Sequence, residues 1–377
     1  MAERRLKVVQ VLPALDGGGV ERGTLEVAQA LVTAGHQSIV ISAGGRMVAE
    51  LENGGSRHVR WDLGKKSPLT LRHLFPLRQW LLRERPDIVH LRSRMPAWVV
   101  WLAWRTLPVN QRPRLVTTVH GLYSVSGYSG VMCRGERVIA VSKTIENYIF
   151  SNYPWVERDR VRLIYRGVDP EEFPRDYQPD AQWLSAWYRQ YPELKGRRVL
   201  TLPGRLTRLK GHHAFIDLIQ WLNQDGQAVY GLIVGGEDPK RKAYARELRE
   251  KVETLGLDER ILFTGNRADM KEIYAVSDLV LSLSTKQEAF GRTVLEALTM
   301  GRPVVGYDHG GVGEILGALF PAGRVTPEDA GMLATVAKAL LDQPLVPAHN
   351  TRFLRQQMLS ETLDLYQLLS LSERETS

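Results

Sequence analysis

Short apolar runs rich in Val, Ile and Leu recur along the chain, each followed by a turn and then a longer stretch of mixed polarity. Residues 6–12, 37–42, 87–91, 115–121 and 137–143 read as strands in the first half, with 58–61 as a short addition and 161–169 closing it. Residues 198–201, 229–234, 261–265, 279–283 and 303–308 repeat the pattern in the second half. Runs this continuous suit strands buried on both faces, and their alternation with helical patterns predicts parallel sheets. Helices are predicted over 20–34, closed by Gly35, and from His212 onward. Residues 240–255 predict a charged helix with a solvated face, and 97–104, carrying three tryptophans, one that fills the core. The tail, 351–371, is helical in pattern, with Leu354, Met358, Leu365 and Leu368 on one side.

A chain of 377 residues exceeds one core of usual size, so two domains are expected. The pattern places them at 1–169 and 197–350, with a Pro-, Trp- and charge-rich linker at 170–196 and a final segment at 351–377. Strand, Gly-rich loop and helix at the start of each half predict an α/β fold of two Rossmann-like parallel-sheet domains. The contiguous triplet Gly17-Gly18-Gly19 is not the dinucleotide fingerprint, whose glycines are spaced.

Composition, at 44% hydrophobic and 24% charged, is globular. The single cysteine, Cys133, excludes an internal disulfide, fits a reducing compartment and reads as a small buried hydrophobe. The charged start, 1–5, predicts no leader, and no apolar run approaches the ~18 residues of a membrane span.

Charge changes the picture more. The formal net charge is +8, but residues 1–195 hold 28 Lys and Arg against 19 Asp and Glu, whereas 196–377 hold 22 against 23. The excess lies in the first half and implies an acidic partner there. No nucleic-acid motif accompanies it, so an anionic lipid surface is the expected partner. Residues 65–83 mix cations with Leu, Phe and Trp at roughly helical spacing. Such a segment lies on a membrane surface or packs its apolar side into the core.

Two stretches carry candidate chemistry. The first is 287–298, in which Glu288 precedes Phe290-Gly291-Arg292-Thr293 and Glu296 follows. It comes after the strand at 279–283 and runs into a helical pattern ended by Gly301 and Pro303, so Phe290 to Thr293 should open a helix with free N–H groups. A helix start of this kind favours a phosphate. The second is 202–211, where Arg205 and Lys210 sit in a Gly-bounded loop after a strand, which suits a diphosphate.

Together the two stretches resemble the signature of GT-B glycosyltransferases, specifically retaining family 4 (glycosyltransferase group 1). Its motif of two glutamates separated by seven residues fits Glu288 and Glu296, and its Gly-Arg-Leu…Lys-Gly motif fits Gly204 to Gly211. The resemblance covers almost the whole chain. It implies two domains facing across a cleft and a last helix that returns to the first domain. It also implies a nucleotide-diphosphate sugar as donor and transfer to a hydroxyl with retention, the diphosphate itself taking the acceptor's proton. No cofactor or metal is then required, and no Asp-x-Asp motif is positioned for one.

The implied site follows residue by residue. Glu288 positions the donor sugar and Glu296 the ribose, while Arg205, Lys210 and the N–H groups near Gly291 and Arg292 bind the diphosphate. Gly18 and Gly19 lie against the donor, Arg267 lies beside the base, and His120, at a strand's carboxyl end, contacts the sugar. The family's Asn before Gly-Val-Asp is Arg166 here, a departure that adds a cation of unassigned role. The basic first half suggests a cytoplasmic enzyme, peripheral on the inner face of the membrane. Its acceptor would be a lipid-linked or membrane-anchored glycan such as lipopolysaccharide core. A soluble small acceptor, or a non-catalytic sugar-nucleotide-binding module, are the alternatives.

Overall fold

A computed structural model describes residues 4–237 and 242–371. The chain divides into two compact units, Met1–Arg166 with Gln356–Ser377, and Gly167–Arg355. The first unit holds seven strands: β1 (Lys7–Val11), β2 (Gln37–Ser42), β3 (Arg57–Arg60), β4 (Ile88–Leu91), β5 (Arg114–Val119), β6 (Arg137–Ala140) and β7 (Val161–Leu163). All pair in parallel in the order β3-β2-β1-β4-β5-β6-β7. The second holds β8 (Arg198–Pro203), β9 (Val229–Val234), β10 (Ile261–Gly265), β11 (Leu279–Ser282), β12 (Val304–Tyr307) and β13 (Arg324–Val325). These too are parallel, in the order β10-β9-β8-β11-β12-β13. Each is the Rossmann-like parallel sheet that the apolar runs predict, and the architecture is GT-B.

The strand order fixes where a ligand can lie. In each unit the order reverses between the first strand and the one that follows the outward run, at β1/β4 and at β8/β11. Crevices form beyond the carboxyl ends of the strands at such switch points. The glycine triplet follows β1, the Arg205–Lys210 loop follows β8 and the Glu288 loop follows β11, so all three open onto those positions.

The helices are α1 (Gly19–Thr33), α2 (Val48–Asn53), α3 (Leu74–Glu84), α4 (Arg94–Arg105), α5 (Lys143–Asn152), α6 (Ala181–Gln190), α7 (His212–Gln224), α8 (Lys242–Thr254), α9 (Met270–Ala275), α10 (Arg292–Thr299), α11 (Gly310–Leu319), α12 (Ala330–Asp342) and α13 (Arg355–Leu371). The predicted start of α8, at 240–241, lies outside the described residues. From its second residue on, α13 belongs to the first unit. There Met358, Leu365, Tyr366 and Leu369 pack with Leu6, Val8, Leu31, Ile88 and Val116. Leu368, expected on that inner side, is 65% exposed, because a 3.6-residue turn carries it past the stripe set by Met358, Thr362 and Leu365.

One other segment departs from expectation, and two more are resolved in detail. Residues 170–196, expected as a linker, include α6, whose Trp187 packs with Leu194, Val199, Tyr230 and Ile273 in the second unit's core. Trp183, one helical turn earlier and half-buried, stacks on Trp187. In α4 the small residues Ala97, Val99, Val100 and Ala103 fill the core. Trp98 and Trp104 lie at the margin, where their indole N–H groups donate to the Tyr128 and Pro113 carbonyls. Segment 65–83 is split by Pro68, which opens a 3₁₀ turn with Ser67 as its cap. Leu77, Trp80 and Leu81 of α3 are then buried, whereas Leu69 and Phe75 are 71% and 73% exposed. Among the described residues, no helix is long and apolar enough to cross a membrane. Cys133 is buried, as expected, and burial pushes its thiol up to about 12.

Candidate active site

In the second unit, the loops after β8 and β11 are built against each other. Gly211 has φ +75°, a left-handed conformation that favours glycine, and a Cβ there would lie 2.0 Å from the Leu283 carbonyl oxygen. The residue before it, Lys210, donates to Glu288 Oε1 at 2.6 Å. Ser284 Oγ donates to the same oxygen, and the Ser284 carbonyl meets His309 Nε2 at 2.8 Å. Burial pushes the Glu288 carboxyl up. The charge and hydrogen bond of Lys210, with Ser284 and His309, outweigh that and hold it below the ordinary carboxylate range. An ionised acceptor and an ammonium therefore stand together at the switch point.

Gly291, at φ +105°, leads into α10, whose first residues are Arg292 and Thr293. Thr293 is half-buried in that first turn, and its neighbours' N–H groups face outward from the helix start. Phe290 is buried edge-to-face on Phe353, so its side chain belongs to the core and only its backbone reaches the loop. Glu296 is also buried. Arg292 Nε donates to its Oε1 at 2.9 Å and the Tyr274 hydroxyl to its Oε2 at 3.1 Å. Burial raises the Glu296 pKa despite Arg292. A carboxylate has about four acceptor sites, so two partners leave capacity for a ligand hydroxyl.

Arg205 is exposed beside Gly204. Arg267 is tethered: its guanidinium forks onto Asp269 at 2.8 and 2.5 Å and lies 5.5 Å from the Trp187 ring centre. Lys210, Glu288, Gly291, Arg292 and Glu296 thus share one region, while Arg267 stands after β10 in its own ion pair.

In the first unit, Gly18 caps α1 at φ +152° and Gly19 begins it. His120 follows β5. Its Nδ1 lies 2.7 Å from the Arg166 guanidinium, which also donates to the Gly19 carbonyl at 3.1 Å. The cation that the sequence left unassigned therefore joins the glycine loop to His120. Beneath them runs a buried polar chain that sequence reasoning missed. Arg92 donates to Gln10, His90 Nδ1 meets the Tyr366 hydroxyl at 2.5 Å, and His90 Nε2 meets Thr118 at 2.6 Å. Its sequence signal is polar Gln10 and His90 inside otherwise apolar strands. Burial, then nearby arginines, push both His90 and His120 well below the usual histidine range, so both are neutral.

Two Rossmann-like sheets, with paired acidic and basic loops at the second one's switch point, define a GT-B glycosyltransferase. Residues 17–172 match the family model Glycosyltransferase Family 4, and 186–356 match Glycosyl transferases group 1. The chain belongs to this family, the GT-B glycosyltransferases of family 4, group 1. A glycosyltransferase from Rickettsia africae superimposes with TM-score 0.85 at 27% identity, covering 98% of this chain and 100% of that one. Anabaena HepE, in complex with UDP and glucose, gives TM-score 0.78 at 21% identity over 96% and 99% of the two chains. Among curated relatives, mannosylfructose-phosphate synthase of Agrobacterium fabrum is 32% identical over 182 residues. That match spans 47% of this chain and 38% of the relative. The protein transfers a sugar from a nucleotide sugar.

Proposed function

We propose that the chain is a retaining, metal-independent transferase acting on a hydroxyl of a membrane-associated glycan, lipopolysaccharide core or a similar surface polysaccharide. The observation that carries the donor assignment is the Lys210–Glu288 pair. It joins the two motif loops where the strand order reverses. In this reading Arg205, Lys210 and the N–H groups that open α10 stabilise the charge developing on the leaving diphosphate. Glu288 accepts from hydroxyls of the donor sugar, Glu296 from those of the ribose, and His120 binds the sugar. The C1–diphosphate bond breaks, the acceptor oxygen bonds to C1 on the same face, and the acceptor's proton passes to the diphosphate. The UDP and glucose bound by the Anabaena protein support a nucleoside diphosphate and a hexose as the parts to be held.

Support for the acceptor comes from the first unit. Its excess of cations and its exposed Leu69, Leu71 and Phe75 suit a negatively charged lipid surface. The name of the Agrobacterium relative favours a second reading, a soluble sugar-phosphate acceptor. Radiolabelled sugar nucleotides, supplied with chelator and either truncated lipopolysaccharide or soluble sugar phosphates, separate the two. Label in the lipid fraction supports the first reading; label only in the soluble fraction replaces it with the second.

A further inference from the structure

We infer that Arg166 is a positioning residue that fixes the tautomer of His120 and thereby makes His120 Nε2 a hydrogen-bond donor to the bound sugar. The inference rests on the proposed contact between His120 and the donor sugar. A guanidinium has donors only, so the contact of Arg166 with Nδ1, at 2.7 Å, obliges Nδ1 to present its lone pair. A neutral imidazole then carries its proton on Nε2. The ring is kept neutral by burial and by the Arg166 and Arg92 charges; His90 faces it too, and Tyr123 takes its backbone N–H.

Nε2 is buried and meets no hydrogen-bond partner among the described residues. His120 lines a void of about 20 Å³ with His90, Arg92, Thr118 and Arg166, room for a single oxygen. An N–H donor at such a place takes a hydroxyl or ether oxygen and cannot accept the acceptor's proton. Arg166 is itself held in place from α1. It donates to the Gly19 carbonyl, and its guanidinium fills the space beside Gly23, where a Cβ would lie 2.0 Å from it. The glycine there admits the guanidinium, and the helix tolerates alanine at the same position.

The test is ¹⁵N NMR of histidine-labelled full-length protein, with the His120 signals assigned by loss in His120→Asn. We expect a protonated Nε2 and an unprotonated Nδ1 that do not titrate near 6.5. Arg166→Ala and Gly23→Ala, the latter displacing only a flexible side-chain end, should both lose this pattern. Both should raise the KM for the sugar nucleotide about 10-fold, the effect of one hydrogen bond, with affinity for the bare diphosphate unchanged. A proton on Nδ1 in the unaltered protein overturns the inference. So do variants that shift sugar-nucleotide and diphosphate affinity equally, or neither. A protein with the Nε2–H tautomer that binds no sugar nucleotide upholds the role of Arg166 and contradicts the functional reading instead.

Discussion

Lys210 and Glu288, 78 residues apart in sequence, meet at 2.6 Å and tie the loop after β8 to the loop after β11. The lysine sits one residue before Gly211, whose contact with Leu283 brings the two loops together. A free carboxylate here would be costly, and the pair leaves both groups charged and oriented for a ligand. Removing the ammonium should therefore cost both donor binding and the charge state of Glu288. We expect Lys210→Ala to weaken diphosphate binding by roughly 1.5–3 kcal/mol, the range for a charge-assisted hydrogen bond. Calorimetric titration measures it, and a change below a factor of two removes Lys210 from the diphosphate site.

In the proposed site, Glu288→Ala deletes the acceptor for the sugar's hydroxyls but not the backbone cradle. Turnover should fall by two orders of magnitude or more, about 2.7 kcal/mol, while the diphosphate still binds and the circular dichroism spectrum is kept. Undiminished turnover would show that Glu288 serves only to hold Lys210.

Gly211 combines positive φ with an approach that a methyl group cannot share. Gly211→Ala should destabilise the second unit by about 2 kcal/mol or more, as strain and overpacking together do. Urea unfolding read by tryptophan fluorescence, which Trp187 and Trp221 report from that unit, checks it. An unchanged midpoint would mean that the loop relaxes away from Leu283.

His212, next to Gly211, is fully buried, and burial lowers its pKa to about 4. A depressed pKa means that the folded state holds fewer protons than the unfolded one below 6.5. Its contribution is thus complete above 6.5 and is lost as pH falls towards 4. The amount is on the order of 3 kcal/mol. His212→Gln should flatten the pH dependence of unfolding free energy across that window. A slope equal to that of the unaltered protein would contradict it.

The strands, the two motif loops after β8 and β11 and the returning last helix were legible in the sequence, because each is written in local pattern: apolar runs, bounding glycines, cations in a turn. What was not legible depends on residues brought together from afar. Glu296 acquires Tyr274 through the packing of α9 on α10, and Arg166 acquires Gly19 and His120 through the packing of separate strands. Trp187 was unreadable for another reason. Its aromatic, charged surroundings look like a linker until Val199 and Tyr230 are seen to cover it. Phe290 shows the converse, a residue in the right motif whose side chain faces the core.

Leu69 and Phe75 lie outside the core, beside the cations of 65–83. Leu69→Ser with Phe75→Ser should sharply reduce sedimentation with vesicles rich in anionic lipid, leaving diphosphate affinity as it was. Equal binding by the double variant and the unaltered protein would take this patch out of any membrane contact.

The central claim is that the loops after β8 and β11 hold the diphosphate of a sugar nucleotide. It is tested most directly by calorimetric titration of the unaltered protein with UDP, GDP, ADP and CMP in the presence of chelator. The account predicts saturable binding of one nucleoside diphosphate, weakened by Lys210→Ala and by Arg205→Ala. Binding of none of them, or binding indifferent to both substitutions, would contradict it.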